Sequence, residues 1–511
     1  MPESSHREGS DTRTQTGGTP SLGESVGPAV ADPASMVGEG QVLAWAPPEQ
    51  DADQAGSIPI PSIVTVGRPD DRTLDIFGLL KASWLGRTYT GHLKKIPWVR
   101  GLVIWGWRTL YPLYAHYRAI RLSADHAGRW RHLTKLKRYV ATHGSPSKQL
   151  LGAAQAATPR PRVFPAQDQA AVSPLQPHYD FPSIYVATIS AANVYGGSNI
   201  VWLKDAALCH DLFDIQRDYT SEELHARHRM DAKRDRVRLL SHDKQPEHLP
   251  VAAVFIDACA HNYAHWLTEV LPRIAAFCAQ DNVKRVPIIV DDGLHKNILE
   301  SLFLVTGPER EIMTLPVGRG LLVDSLYVTS VAGYVPFDRR NETLGKHSEG
   351  KFNPHGLELM RQMIAAKAGH GERKSWPKKI YLRRNSGTRV VTNAAALEKL
   401  LVPRDFVVVE TERLSFLEQV RLFENAQEII GPTGAALANA IFCKPGTRLV
   451  VLMSKHEKMI YGYWLNMLAP LRIEVSYVLG VIDSKRHLGI HGDFTVSSRD
   501  LLDMLDSEKN P

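Results

Sequence analysis

Cysteine is scarce in this chain, and long apolar runs are missing. Its four cysteines, Cys209, Cys259, Cys278 and Cys443, stand far apart and form no C-x-x-C pair. That spacing argues against a disulfide framework and against a cysteine-built zinc site, and it fits a reducing compartment. No stretch approaches the roughly 20 apolar residues of a membrane-spanning helix. The opening residues, MPESSHREGSDTRTQ, are polar and lack the apolar core of a secretory signal. A soluble, cytoplasmic protein is expected, one able to sit peripherally on the inner face of the cell membrane.

What is present is an ordinary globular balance, 43% hydrophobic and 23% charged over 511 residues, which suggests two or three domains. The net charge is +7, yet residues 81–140 hold thirteen Lys or Arg against one acidic residue, Asp125. The remainder is net negative, so the basicity belongs to one segment. Residues 1–70, rich in Gly, Ser, Pro and Thr, are expected to be a disordered tail. Residues 71–145 read as a basic helical segment. There Trp98, Trp105, Trp107, Tyr111, Tyr114 and Tyr117 mix with Lys94, Lys95, Arg100, Arg108, Arg118 and Arg121. Either residues 81–121 lie on an anionic membrane surface, or a helical hairpin packs on the main body. Stacking on nucleic acid ranks lower, because no nucleic-acid-binding motif accompanies the aromatics, and no such partner is expected.

Residues 146–180, rich in Ala, Pro and Gln, read as a linker. Residues 181–372 read as a mixed α/β domain. SIYVATI and NVYGGSNIVWL give strands, with a hairpin at Gly196-Gly197. The charged stretch 217–248 reads as exposed helix and loop. VAAVFIDA, RVPIIVDDG and GLLVDSLYVTS give further strands, with a helix from Lys296 to Val305. Residues 373–511 alternate strand and helix: KKIYLRR, a helix after Asn393, DFVVVETE, a helix opened by the capping box Ser415-x-x-Glu418, QEIIGP, GAALANAIF and TRLVVLM. Such alternation implies a parallel sheet covered on both faces, with ligands at the carboxyl ends of its strands.

Three stretches carry chemistry. In IIGPTGAALAN (429–439) an apolar strand turns through Gly431, Pro432, Thr433 and Gly434 into a helix. Small residues there admit a ligand to the backbone, and helix-start N–H groups favour an anion. A tight turn needing glycine for its angles is the simpler alternative. In YLRRNSGTR (381–389), Arg383, Arg384 and Arg389 gather at a strand end, which suits a phosphate or, more plainly, surface ion pairs. In AHNYAHWLTEVLPR (260–273), His261, His265 and Glu269 stand four apart and share one helical face. The zinc-protease pattern needs Glu directly after the first His, where Asn262 stands. H-x-x-x-H at this spacing can hold a metal, but no third ligand is evident; the lone D-x-D, Asp51-Ala52-Asp53, falls in the tail, and Asp291-Asp292 reads as a turn. Leu267, Val270, Leu271 and Ile274 supply the packing face. The alternatives are a capped core histidine or a catalytic base oriented by a carboxylate, and the separate packing face favours function for His265 and Glu269, less so for His261.

HNYAHWLTEVLPRI, KIYLRRNSGTRVVTN and LSFLEQVRLFENAQEIIGPTGAALANAIF, in that order, resemble the family 61 glycosyltransferases, over roughly residues 182–480. That family includes bacterial capsular-polysaccharide-type members, and a member of that type is expected. The resemblance implies a GT-B-like α/β architecture, two Rossmann-like domains facing across a cleft, with 181–372 on the acceptor side and 373–511 on the donor side. It implies an inverting, metal-independent transfer from a nucleotide sugar, UDP-linked by expectation, to a glycan or lipid-linked glycan of surface polysaccharide. No other cofactor is implied. His265 would be the general base and Glu269 its partner. Arg383, Arg384 and Arg389 would neutralise the departing diphosphate. Thr433, Gly434, Ala435 and Asn439 would line the donor site. Many relatives carry His where Thr433 stands. A non-catalytic sugar- or nucleotide-binding protein of the same fold is the alternative, and a metal-dependent hydrolase using His261 and His265 a third.

Overall fold

The computed structural model describes residues 42–47, 61–66, eight positions between 88 and 110, and 130–507 apart from 173–176, 226, 241–244, 341–348, 369–375, 386, 458 and 484–488. Two large sheets organise it. In the first, β1 (Ile63–Thr65), β2 (Ile184–Tyr195), β3 (Glu247–Val254), β4 (Ile288–Asp291), β5 (Ile312–Leu315) and β6 (Gly320–Thr329) lie in the order β1-β5-β4-β3-β6-β2. All are parallel except β2, which runs antiparallel to β6. Shorter strands extend the sheet beyond β2. Between β3 and β4 runs a composite helix, here the histidine helix: an α turn Tyr263–His265, a π turn Trp266–Val270 and an α-helix Leu271–Cys278. Helix α1 (Lys296–Thr306) joins β4 to β5, and α2 (Pro354–Ala368) leads toward the second sheet.

The second sheet takes β7 (Lys379–Leu382), β8 (Val407–Val409), β9 (Glu428–Pro432), β10 (Arg448–Ser454) and β11 (Glu474–Ile482) in the order β8-β7-β9-β10-β11, all parallel. Helices α3 (Ala394–Leu401), α4 (Phe416–Asn425) and α5 (Gly462–Leu468) alternate with these strands. The chain winds one way from β7 to β8 and the other way from β7 to β9, so the strand order reverses between β7 and β9. Open α/β sheets bind ligands at that reversal.

Strand alternation divides the apolar residues between two faces. Ile380, Leu382, Ile429, Leu449 and Val451 enter a core that also holds Trp266, Leu267, Ile274 and Ile288 of the first half. Tyr381, Val408, Ile430, Val450 and Leu452 face the opposite way, against Leu397 and Leu401 of α3. One apolar core thus runs through both halves.

Several expectations need correction. The tail expected over 1–70 supplies β1, which pairs with β5, and Trp45, whose N–H donates to Val408 O at 2.7 Å. The linker expected over 146–180 is strand-bearing. Ser147–Leu151 pairs with β2, and Arg162–Phe164 adds a parallel strand beside β11. SIYVATI and the start of NVYGG form one continuous strand, and the turn at Gly196-Gly197 then returns through Val201–Trp202. The charged stretch 217–248 contains a short capped helix, Ser221–Leu224, and an antiparallel pair, His228–Asp231 with Arg236–Leu239. Most of the basic aromatic segment lies outside the described residues. Those described include Trp98 and Trp105, helical and exposed at 72% and 66%. No described helix is long and apolar enough to cross a membrane.

Candidate active site

The histidine helix starts one turn later than its sequence suggests. Asn262 is its cap, accepting the Ala264 N–H at 3.0 Å. His261 therefore precedes the helix. It is exposed, and its Nε2 bonds the carbonyl of Asp292 at 3.0 Å. It does not share a face with His265, which corrects the three-residue alignment.

His265 and Glu269 do meet. Nδ1 of His265 lies 2.5 Å from Oε1 of Glu269, and Oε2 of Glu269 accepts the Val335 N–H at 3.1 Å. The π turn between them carries a five-residue bond, Leu271 N–H to Trp266 O, a geometry frequent at functional sites. With Nδ1 committed to the carboxylate, Nε2 is the ring nitrogen left for proton transfer. Burial alone would lower the His265 pKa. The Glu269 carboxylate, helped by Asp257, outweighs burial and raises it above the ordinary 6.5.

Strand alternation sends Arg383 and Arg384 to opposite faces of the second sheet. Arg383 follows Tyr381 toward α3. It binds Glu398 with two bonds of 2.8 and 2.6 Å, reaches Glu410 at 3.1 Å, and donates to Val42 O at 2.6 Å. Its donors are engaged by the protein, so the structure separates it from the other two arginines. Arg384 follows Leu382 toward the histidine helix. Its Nε donates to Thr388 O at 2.8 Å. Its guanidinium rests on Gly434, where a Cβ would lie 1.8 Å from Nη1. Burial, then the like charge of Arg389, lowers the Arg384 pKa to about 10. Arg389 is also lowered by burial, and its buried Nε has no protein partner. Two desolvated cations at the point where strand order reverses favour an anion.

The turn after β9 is built around them. Thr433 is buried and its hydroxyl accepts the Trp464 indole N–H at 3.1 Å. Gly434 is extended, and the 3-10 helix Ala435–Phe442 that follows has no side-chain cap. Ala435, partly exposed, begins it. Asn439 is fully buried. Its Oδ1 accepts the Tyr263 hydroxyl at 2.6 Å, and its Nδ2 donates to Gln419 at 2.7 Å. Asn439 thus ties the turn to the histidine helix, and its side chain is spent on protein partners.

Tyr463 of α5, absent from every motif singled out in the sequence, joins the two clusters. It lies in the fields of both Glu269 and Arg389. Burial holds its phenol neutral, far above the ordinary range. The only sequence trace is the aromatic run Tyr461-Gly462-Tyr463-Trp464, which reads as core. The turn on which Arg384 rests is therefore tied through Asn439 and Tyr263 to the helix that carries His265 and Glu269, with Tyr463 in the fields of both Glu269 and Arg389. Such an arrangement can remove a proton from one group while stabilising negative charge on another.

Residues 263–450 match the family model for Glycosyltransferase 61. The match opens on the first residue of the histidine helix and closes within β10. It takes in the His265–Glu269 pair, the three arginines and the Thr433–Asn439 turn, and stops short of Tyr463. No curated protein matches the chain.

Proposed function

We propose that the protein is an inverting glycosyltransferase that moves a sugar from a nucleotide-sugar donor, UDP-linked by preference, to a hydroxyl of a glycan acceptor in surface or capsular polysaccharide. The Glycosyltransferase 61 match supports the reaction class. The observation that carries the mechanism is that the Gly434 turn, on which the Arg384 guanidinium rests, is bonded through Asn439 to Tyr263 at the start of the helix that holds the His265–Glu269 pair.

In this reading Nε2 of His265 takes the acceptor proton as the acceptor oxygen attacks the anomeric carbon from the face opposite the leaving group. Glu269 holds the ring orientation through Nδ1 and stabilises the imidazolium that forms. The bond to the donor diphosphate breaks on the other side. Arg384, Arg389 and the start of the helix at Gly434 and Ala435 receive the developing charge, with no divalent metal required. Arg383, held by Glu398 and Glu410, supports β7 and leaves the diphosphate to its neighbours. Thr433 and Asn439 shape the turn. The two halves act as the donor and acceptor sides of a GT-B-like cleft. Residues 81–121 dock the enzyme peripherally on the inner, anionic membrane surface near lipid-linked acceptors, and the exposure of Trp98 and Trp105 supports that reading.

The test is turnover of a panel of UDP-sugars in EDTA with total membrane glycans as acceptor. Wild type is expected to transfer, and His265→Ala to lose at least about a hundredfold in rate, the ordinary worth of a positioned base. Transfer by His265→Ala at the wild-type rate would remove His265 from the mechanism.

A further inference from the structure

A cavity of about 90 Å³ lies beside the histidine helix, and both Glu269 and Arg273 line it. Its other polar walls come from Asp257, Glu222, His210 and Thr329. At roughly 15 Å³ per water it holds about six waters, close to the bulk of one pyranose ring with its hydroxyls.

Three of its polar atoms make no hydrogen bond within the protein: Nη2 of Arg273, Oγ1 of Thr329 and Nδ1 of His210. Arg273 and Thr329 are 7% and 4% exposed. Arg273 spends Nε on the Glu269 carbonyl at 3.0 Å, and its Nη2 stays 3.6 Å from the Asp257 carboxylate. Burial, then the charge of Arg273, holds the His210 imidazole neutral, with a pKa lowered to about 3, so its ring both donates and accepts. Tyr334 packs edge-on against His210 at 4.5 Å, and Phe337, 44% exposed, also lines the cavity. Fixed donors and acceptors beside aromatic rings suit a polyhydroxylic ring with C–H faces. The charge balance selects further. Burial pushes the Glu222 carboxyl up to about 7, and even without it the carboxyl groups of Asp257 and Glu269 outnumber the one guanidinium, which disfavours a phosphate or a carboxylate, the opposite of the cationic pair at Arg384 and Arg389.

We propose that this cavity is an acceptor-sugar subsite, binding a neutral pyranose unit with free hydroxyls and bordering the base pair at Glu269, while the reacting hydroxyl meets Nε2 of His265 outside it. This rests on the transferase reading above. In that scheme anionic and neutral substrates are sorted by opposite pockets, and Glu269 belongs to both the base pair and the acceptor site.

The test is saturation-transfer NMR on the full chain with methyl glycosides of glucose, galactose and mannose, and with methyl glucuronide as the charged counterpart. Thr329→Val and Phe337→Ala are the variants. The first deletes a hydroxyl that has no partner, and the second trims a half-exposed ring, so both are expected to keep the wild-type melting temperature. At least one neutral glycoside should bind, at least threefold weaker in each variant, with the glucuronide weaker still. UDP titrated in parallel should bind wild type and both variants equally. UDP binding without any glycoside binding would overturn the subsite and leave the transferase reading standing. Glycoside affinity unchanged in both variants, or tighter binding of the glucuronide, would overturn it as well. Loss of UDP binding by the wild type would instead count against the transferase reading, and the glycoside results would then be judged alone.

Discussion

Arg383 and Arg384 are neighbours with opposite work. Arg383 lies among Glu398 and Glu410, which are 3% and 5% exposed. Removing one partner of such a set strands buried charge, so Arg383→Ala should cost about 3 kcal/mol in denaturant titration. Arg384→Ala removes a cation that burial already disfavours. It should leave stability within about 0.5 kcal/mol and weaken nucleotide binding. Gly434→Ala should behave like Arg384→Ala. Its extended backbone accepts alanine, but the new Cβ would occupy the place of the Arg384 guanidinium. Equal UDP affinity in Gly434→Ala and wild type would refute that contact. His265 gives a pH signature. Its raised pKa favours the protonated form in the fold, so its stabilising share is full below 6.5 and fades as pH rises through the raised value. A base must be neutral, so kcat/KM should climb with pH to a midpoint above 6.5, and Glu269→Gln should move that midpoint down. At this scale the sequence was legible in residue type. The pairing of His265 with Glu269 followed from their four-residue spacing. Which arginine faces the site did not, although strand alternation carries that information once the strand's inner face is known. Tyr463 stayed hidden because an aromatic in a core-like helix has no signature of its own.

At the scale of elements, the second sheet was the most legible part. Buried parallel strands read as apolar runs, and Ser415 with Glu418 forms the capping box its spacing suggested. Asn393 does precede α3, but its side chain bonds the Val496 backbone in both directions instead of capping the helix. The β8-β7-β9 order was not legible, because order depends on which crossover packs where. The π turn was not legible either, since one inserted residue barely disturbs apolar periodicity. The charged stretch 217–248 misled because its strands sit at the far edge of the first sheet, where both faces need not be apolar. The histidine helix is fixed to the turn after β9 by Tyr263 and Asn439. Tyr263→Phe should leave Asn439 Oδ1 buried without a donor and cost about 1–3 kcal/mol by chemical denaturation. An unchanged midpoint would show that this bond does not hold the helix to the turn.

Across the whole molecule, the boundary drawn at residue 373 separates sequence patterns but not folding units. The main core mixes Trp266 and Ile288 with Ile380 and Phe416. Asn297 donates to Leu414 O at 3.1 Å, and Glu300 accepts the Phe416 N–H at 2.8 Å. Arg162–Phe164, far upstream, closes the edge of the second sheet. A fragment of residues 373–511 alone should therefore lack cooperative unfolding, which circular dichroism against urea would show. In the proposed mechanism Arg384 and Arg389 hold a nucleoside diphosphate beside the His265–Glu269 base. The most direct measurement is calorimetric titration of UDP, in EDTA, into wild type, Arg384→Ala and His265→Ala. Binding to wild type is expected, with at least about tenfold weaker binding to Arg384→Ala and wild-type affinity in His265→Ala. Equal affinity in wild type and Arg384→Ala, or no binding to wild type, would contradict it.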